Sequence, residues 1–221
     1  MSALAEQLAF DGPGRVIAPA PVMTAHHGRN ADMIASVARL YIPDGAKVLD
    51  ATYGKGNFWA RTDTSRFLLL GADLESPAAH VTADFTLLPF ADRAFDVVVL
   101  DPPYIHAPGN RHFEERYRNR STTRHLGTHA DVMNLYYDGI AEAARVLRPG
   151  GTLWVKCQDT VESRAQRWSH IEIYQDALEL GFSAQDLFTV MTDTPPGGGR
   201  EVQHHARRNH SYLWIFRKGH R

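Results

Sequence analysis

Asp101-Pro102-Pro103-Tyr104 constrains this chain more than any other stretch. Ahead of it runs Arg93-Ala94-Phe95-Asp96-Val97-Val98-Val99-Leu100, a short apolar run rich in β-branched residues, which predicts a buried strand. Two prolines then end that strand. Neither can donate to a ladder, and each biases the residue before it toward extended geometry. A stiff turn results, holding a carboxylate, a backbone carbonyl and an aromatic ring at the carboxyl end of a strand. Two adjacent acceptors suit an exocyclic NH2 group, and the ring offers a face on which a base can stack. A proline-terminated strand with a packing tyrosine is the plainer reading of the same four residues.

Two other strand ends carry acids. Lys47-Val48-Leu49-Asp50 predicts a strand that runs into Ala51-Thr52-Tyr53-Gly54-Lys55-Gly56-Asn57-Phe58-Trp59, a Gly-x-Gly turn followed by a helix. Glycines let a backbone approach a ligand closely. The third glycine of a dinucleotide fingerprint would fall at Trp59, so a bound pyrophosphate is disfavoured. Phe67 to Asp73 predicts the next strand, with Asp73 about twenty residues beyond the turn, where a carboxylate can accept from a ribose diol. Glu75 competes with Asp73 for that role.

With these motifs in place, the chain resembles the class I S-adenosylmethionine-dependent amino-methyltransferases of the Asp-Pro-Pro-Tyr type, the DNA adenine-N6 and cytosine-N4 methyltransferases. Asp50-x-x-x-Gly54-x-Gly56 is similar to their cofactor motif, although Ala51-Thr52 replaces the Pro-Phe often found there. Asp84-Phe85-Thr86-Leu87-Leu88-Pro89-Phe90 and Phe95-Asp96 resemble the next landmark. So does Leu147-Arg148-Pro149-Gly150-Gly151 before a strand over 152–156. The resemblance implies a Rossmann-like α/β fold. Its sheet has seven strands, mostly parallel, with helices on both faces and a C-terminal antiparallel hairpin over 184–191 and 211–216.

It also implies site residues. Asp101, Pro102, Pro103 and Tyr104 would be catalytic. S-adenosyl-L-methionine would be held by His26, Asn30, Asp50, Ala51, Thr52, Gly54, Gly56, Asp73, Asp84, Phe85 and Asp101. His26 and Asn30 enter because the segment before the first strand closes over the cofactor in related enzymes, and His27 is a further candidate. Asn30 also reads as the N-cap of a helix over 31–40. Adenine N6 in DNA is the first target. Cytosine N4, an RNA base amine (adenine N6 or guanine N2) and a glutamine side chain are the alternatives, as is a catalytically silent nucleic-acid-binding subunit.

Composition leaves that reading open. The 221 residues suit a single methyltransferase domain, with residues 1–22 as an irregular arm. Net charge is −1, so any basic face must be local. Two basic stretches supply one: 105–130, a lid with Arg111, Arg116, Arg118, Arg120 and Arg124, and the loop 192–210 with Arg207 and Arg208. Arginines interleaved with aromatics suit phosphate contact and base stacking, though a solvated loop has the same composition. Lone Cys157 excludes an internal disulfide, and the histidines show no compact metal-ligand spacing, so no metal is expected. Helices are predicted over 131–147 and 169–180. Lys156, Gln158 and Asp159 close the strand between them, where they face the target or merely cap the strand. No run reaches membrane-spanning length, and a cytoplasmic monomer or homodimer with DNA, or RNA, as partner is expected.

Overall fold

The computed structural model describes residues 9–10, 16–17, 20–103, 127–193 and 204–220. Twelve strands and three α-helices are seen in this part of the chain. Within the amino-terminal arm, β1 (Ala9–Phe10) and β2 (Val16–Ile17) pair antiparallel. The main sheet has the order β3-β11-β12-β8-β7-β4-β5-β6. Its members are β3 (Ala25–His27), β4 (Lys47–Asp50), β5 (Leu68–Asp73), β6 (Val81–Thr82), β7 (Phe95–Leu100), β8 (Leu147–Cys157), β11 (Phe182–Met191) and β12 (His210–Lys218). From β8 through β7, β4 and β5 to β6 every pairing is parallel, while β12 runs antiparallel to both β8 and β11.

The α/β architecture and the antiparallel C-terminal pair are as expected, but the sheet has eight strands instead of seven. The eighth is β3, parallel to β11, with Ala25 opposite Thr189. It covers what would otherwise be a bare edge of unpaired amides. Ala-His-His is too short and too poor in β-branched residues to announce a strand. A second departure follows β4. The helix expected after the Gly-x-Gly turn is replaced by two 3-10 turns, at Asn57–Trp59 and Thr64–Arg66. Polar residues over 61–66 give no helical apolar face, and the indole of Trp59 is turned back toward β4.

Two cores sit on the two faces of the sheet. Helices α2 (His129–Val146) and α3 (Ser169–Glu179) cover one face, where Leu49, Val98, Leu100, Leu153 and Val155 meet Leu135, Tyr136, Ile140 and Ile173. Helix α1 (Asn30–Tyr41) covers the other, where Val48, Val97, Val99, Trp154 and Leu213 meet Met33, Ile34 and Val37. Alternate residues of each strand go to opposite cores, as a two-layered cover demands. Helix α2 starts with a full capping box, Thr128 and Asp131 satisfying each other's backbone N–H groups. The 160–167 segment forms a hairpin of β9 (Thr160–Glu162) and β10 (Ala165–Arg167), with Ser163 and Arg164 both at positive φ, the signature of a tight primed turn. No helix among the described residues is long and apolar enough to cross a membrane.

Chain order places the site. β4 has β5 on one side and β7 on the other, so the direction of winding reverses between β4 and β7. In open α/β sheets the crevice beyond the carboxyl ends at such a reversal is where ligands bind. Asp50 ends β4 and Asp101 follows β7 at that crevice, with Asp50 opposite Val99.

Gly139 lets α2 lie close against Phe85, on the chain beyond β6. A Cβ there would stand 2.4 Å from the ring of Phe85, which is fully buried. Gly139→Ala should therefore destabilise. Overpacking costs about 1–3 kcal/mol, which exceeds the gain in helix propensity of up to about 1 kcal/mol. A urea midpoint equal to or above that of the native chain would contradict this packing.

Candidate active site

Three aspartates converge at the ends of β4, β5 and β7, and each is held differently. Asp73 is 3% exposed. Its Oδ1 accepts from the N–H groups of Glu75 (3.0 Å) and Ser76 (2.8 Å), and its Oδ2 accepts from Gly54 N–H (3.0 Å). A carboxylate has about four lone-pair sites, so roughly one remains for a further donor. Asp73 thus ties the glycine turn to β5. Ser76 reinforces the tie by donating to the Gly54 carbonyl.

Asp50 is 2% exposed. Its Oδ1 accepts from Thr52 N–H (3.1 Å) and its Oδ2 from the indole Nε1–H of Trp59 (2.7 Å). Burial pushes its pKa up to about 7, against the pull of these two donors, and the charges of Asp101 and Asp73 add to the rise. Trp59 is a part of the site that the sequence reading missed. The clue was an indole nine residues after a strand-end acid: once buried, its N–H needs an acceptor.

Asp101 is held by its backbone. Its N–H donates to Thr52 Oγ1 (2.7 Å), which joins the cofactor-like turn after β4 to the catalytic-like turn after β7. Ala51 N–H makes a second link, to the Val99 carbonyl (3.0 Å). The Asp101 Oδ1 atom is buried and has no hydrogen-bond partner among the described residues. Burial pushes this carboxyl up, and the charge of Lys156 pulls it back. Pro102 is buried and Pro103 half-buried behind it.

A cavity of about 480 Å³ opens over these strand ends. Asp50, Thr52, Gly54 and Asp101 form its floor, with Asn30 at the start of α1 and Tyr53 on the glycine turn among its walls. Gly56 needs its positive φ of 71°, and a Cβ there would strike the Tyr53 ring at 2.7 Å. Arg29, not Asn30, is the N-cap of α1. It makes no side-chain cap, so the first-turn N–H groups stay unbonded by a capping side chain. Asn30 is instead the first helical residue and faces the cavity.

The remaining candidates lie around this centre. His26 sits on β3, its ring 6.1 Å from that of Phe188, and its Nε2 is buried without a partner among the described residues. His27 is exposed and pairs with Asp193. Asp84 Oδ1 accepts from the backbone and hydroxyl of Thr86, beyond β6. The ring of Phe85 packs into the core, and the residue is fully buried. Arg207 is exposed, and Arg208 bonds to Gln166 on β10, so the described part of the basic loop lies against the β9–β10 hairpin. Gln158 and Asp159 are occupied, by the His210 carbonyl and by His170. Tyr104, Arg111, Arg116, Arg118, Arg120 and Arg124 lie outside the described residues, as does most of the 105–130 stretch.

The Asp50–Trp59 bond has a pH signature. The indole N–H stabilises the ionised carboxyl, so its loss raises the Asp50 pKa above about 7. Trp59→Phe should therefore cost more stability at pH 8.5, where Asp50 is charged, than at pH 5, where it is protonated. The difference should be on the order of 1.5–3 kcal/mol, typical of hydrogen bonds to charged groups. Urea unfolding at the two pH values measures it, and equal costs would mean the bond does not favour the anion.

Known proteins resemble this chain on several levels. The family model described as DNA methylase, of the N6/N4 methyltransferase type, matches residues 95–221, more than half of the chain. The release factor glutamine methyltransferase of Mycolicibacterium smegmatis is 35% identical over 105 residues, which are 48% of this chain and 36% of that protein. The match thus spans about a third of that relative's length. A Bacillus halodurans structure described as a methyltransferase superposes with a TM-score of 0.60 at 16% identity, over 85% of this chain and 99% of its own. An S-adenosylmethionine-dependent methyltransferase from Methanosarcina mazei gives 0.52 at 13%, over 83% and 97%. At these identities the two structures speak to the fold. The family match, falling on the segment that contains Asp101 and the strands beside it, goes further: the chain belongs to the DNA methylase family, methyltransferases whose methyl donor is S-adenosyl-L-methionine.

Proposed function

We propose that this chain transfers a methyl group to an exocyclic amino group of a nucleic-acid base, adenine N6 in DNA before cytosine N4 or an RNA base amine. One observation supports this reading above the others. Asp101 presents a buried carboxyl oxygen, unpartnered among the described residues, at the same cavity that Asp50, Thr52 and Gly54 line. A buried acceptor without a partner is rare and calls for a ligand donor.

The residues present fit S-adenosylmethionine. Ligand pockets commonly measure about 300–1,000 Å³, and the cavity falls in that range. The uncapped amino end of α1, at Arg29 and Asn30, suits a carboxylate. Asp50, Ala51, Thr52, Gly54 and Gly56 would hold the amino-acid end, with His26 nearby. Asp73 or Glu75 would take the ribose, and Asp84 with the Phe85 backbone the adenine. Bound there, the sulfonium supplies an electrophilic methyl group.

The chain's own groups then act on the acceptor. An exocyclic amine is a poor nucleophile because its lone pair is delocalised into the ring. Asp101 and the Pro102 carbonyl accept hydrogen bonds from its two N–H groups and favour a tetrahedral nitrogen, which frees the lone pair; once the nitrogen carries the methyl group, one of these protons leaves it for solvent. Thr52, through the Asp101 N–H, keeps the two acceptors registered against the cofactor turn. No covalent enzyme intermediate is needed, since positioning and electrostatics suffice. Tyr104 stacks on the base in this reading. The arginines of 105–130, with Arg207 and Arg208, contact phosphates. A base in a duplex must first be flipped out, at a cost of a few kcal/mol.

The glutamine methyltransferase relative supports a second reading, a side-chain amide as acceptor. An amide NH2 poses the same lone-pair problem. Enzymes of that kind usually carry Asn where this chain has Asp101.

Incubation with methyl-labelled S-adenosylmethionine and DNA, RNA or release factor, followed by nucleoside and peptide analysis, separates these outcomes. N6-methyladenine in DNA is the expected product, and label appearing only in protein would replace the reading with the second. Asp101→Ala should lower kcat at least about 100-fold while cofactor binding, followed by calorimetry, survives. Full turnover in that variant would end the proposed mechanism.

A further inference from the structure

Asp101 poses an electrostatic problem. As an acceptor for an amine it serves best as a carboxylate, yet it is half-buried, and its buried Oδ1 has no partner among the described residues. Burial favours the neutral acid, and the neighbouring Asp50 charge works in the same direction. An anion in this position needs a cation close behind it.

β8 carries one. Leu100 pairs with Val155, so the next residues on the two strands, Asp101 and Lys156, stand side by side. Strand alternation decides which way they face. Val97 and Val99 of β7, Trp154 of β8, and Leu213 and Ile215 of β12 all enter the core beneath α1. Asp101 lies two residues after Val99, Lys156 two after Trp154, and Ser211 two before Leu213. The three therefore share the α1 face, at one end of the sheet, on three adjacent strands. Lys156 is 1% exposed, and its Nζ donates to Ser211 Oγ at 2.6 Å. Tyr136 fixes the backbone by donating to the Lys156 carbonyl at 2.8 Å. An ammonium so far from water is expensive. Packing alone would be served better by an apolar residue, as at Trp154.

We propose that Lys156 is a positioning residue for methyl transfer: its ammonium, anchored by Ser211, stands behind Asp101 and holds that side chain as a carboxylate aimed at the acceptor amine. The proposal rests on the reading of Asp101 given above, and Lys156 acts only through it. Other charges surround Asp101. Asp50 stands beside it at the end of β4, where like charges oppose each other's ionisation, and Asp73 lies beyond Asp50 at the end of β5. Arg29, Lys55 and Arg61 stand on the solvated cavity wall, where water screens them. Cys157 and Asp159 follow Lys156 toward the opposite face, Cys157 in the α2–α3 core and Asp159 bonded to His170 of α3, and burial pushes the Cys157 thiol up, so it stays neutral. Among the described residues Lys156 is the one buried lysine or arginine. Burial lowers its own proton affinity and Asp101 restores it, so each charge favours the other.

Carbon-13 carboxyl NMR reads the Asp101 midpoint directly, with Asp101→Asn supplying the assignment. In Lys156→Met the midpoint should rise by about one pH unit or more, and the acid limb of the kcat–pH profile should rise with it. Lys156→Arg should keep that limb near its native position. An unmoved Asp101 midpoint in folded Lys156→Met overturns the proposal, as does an equal displacement of the limb in the Arg and Met variants. Should Lys156→Met fail to fold, Asp101→Asn carries the test from the other side. There the Lys156 midpoint, followed at Cε, should fall by a similar amount, and a constant value overturns the proposal. Neither NMR measurement requires turnover. A native protein that methylates no nucleoside therefore tells against the acceptor assignment and leaves the Asp101–Lys156 coupling to be judged on its own.

Discussion

The hydrogen bond from Asp101 N–H to Thr52 Oγ1 is the joint on which this site depends. It crosses the point where the winding of the sheet reverses, and links turns that are 49 residues apart in sequence. Neither turn could be placed by its own strand alone. β4 and β7 fix the height of their carboxyl ends through the Asp50–Val99 register, but the chain beyond each end is free to splay. Thr52 removes that freedom on one side and the paired prolines remove it on the other. Thr52, in the Ala51-Thr52 pair that stands where the resemblance leads one to expect Pro-Phe, thus gains a structural reason.

The two faces of the sheet divide the labour. α2 and α3 bury the larger apolar cluster, with Gly139 of α2 packed close against Phe85. That side holds the strands in register. The α1 side has a smaller core and ends in polar groups at its upper rim: Asp50, Asp101, Lys156 and Ser211. Strand alternation puts all four on one face without any long-range device. The same alternation that builds the hydrophobic core therefore continues, one residue past its edge, into the chemistry.

Much of this was legible in the sequence, because strand ends are marked by abrupt changes of residue type. Asp50, Asp73 and Asp101 each close an apolar run, and the β4, β5 and β7 boundaries fall within two residues of where composition puts them. What was not legible depended on tertiary contact. β3 has no strand composition and exists because β11 offers an open edge. The helix after the glycine turn looked natural by analogy, yet Asp50 captures Trp59 and the chain makes only 3-10 turns. Lys156 looked like a polar strand terminus, since sequence cannot show that β12 extends past it and closes off water. Asn30 looked like a cap, but the structure uses Arg29 and turns Asn30 to the cavity.

The three aspartates show how a fold separates a structural acid from an available one. All are pressed together at neighbouring strand ends, where their charges repel. Asp73 answers with three backbone N–H donors, which hold it in place and leave little capacity for anything else. Asp50 answers with one amide and one indole, and sits near the balance between charged and neutral forms. Asp101 receives no such donor at Oδ1 among the described residues; its backbone is tied down while that oxygen is left open. A buried polar group is normally satisfied because leaving it bare costs about 1–3 kcal/mol. The fold bears that cost at the single acid that borders the cavity without a donor of its own. In the proposed reaction an incoming NH2 group would supply that missing donor, stabilising the complex by what the free protein lacks.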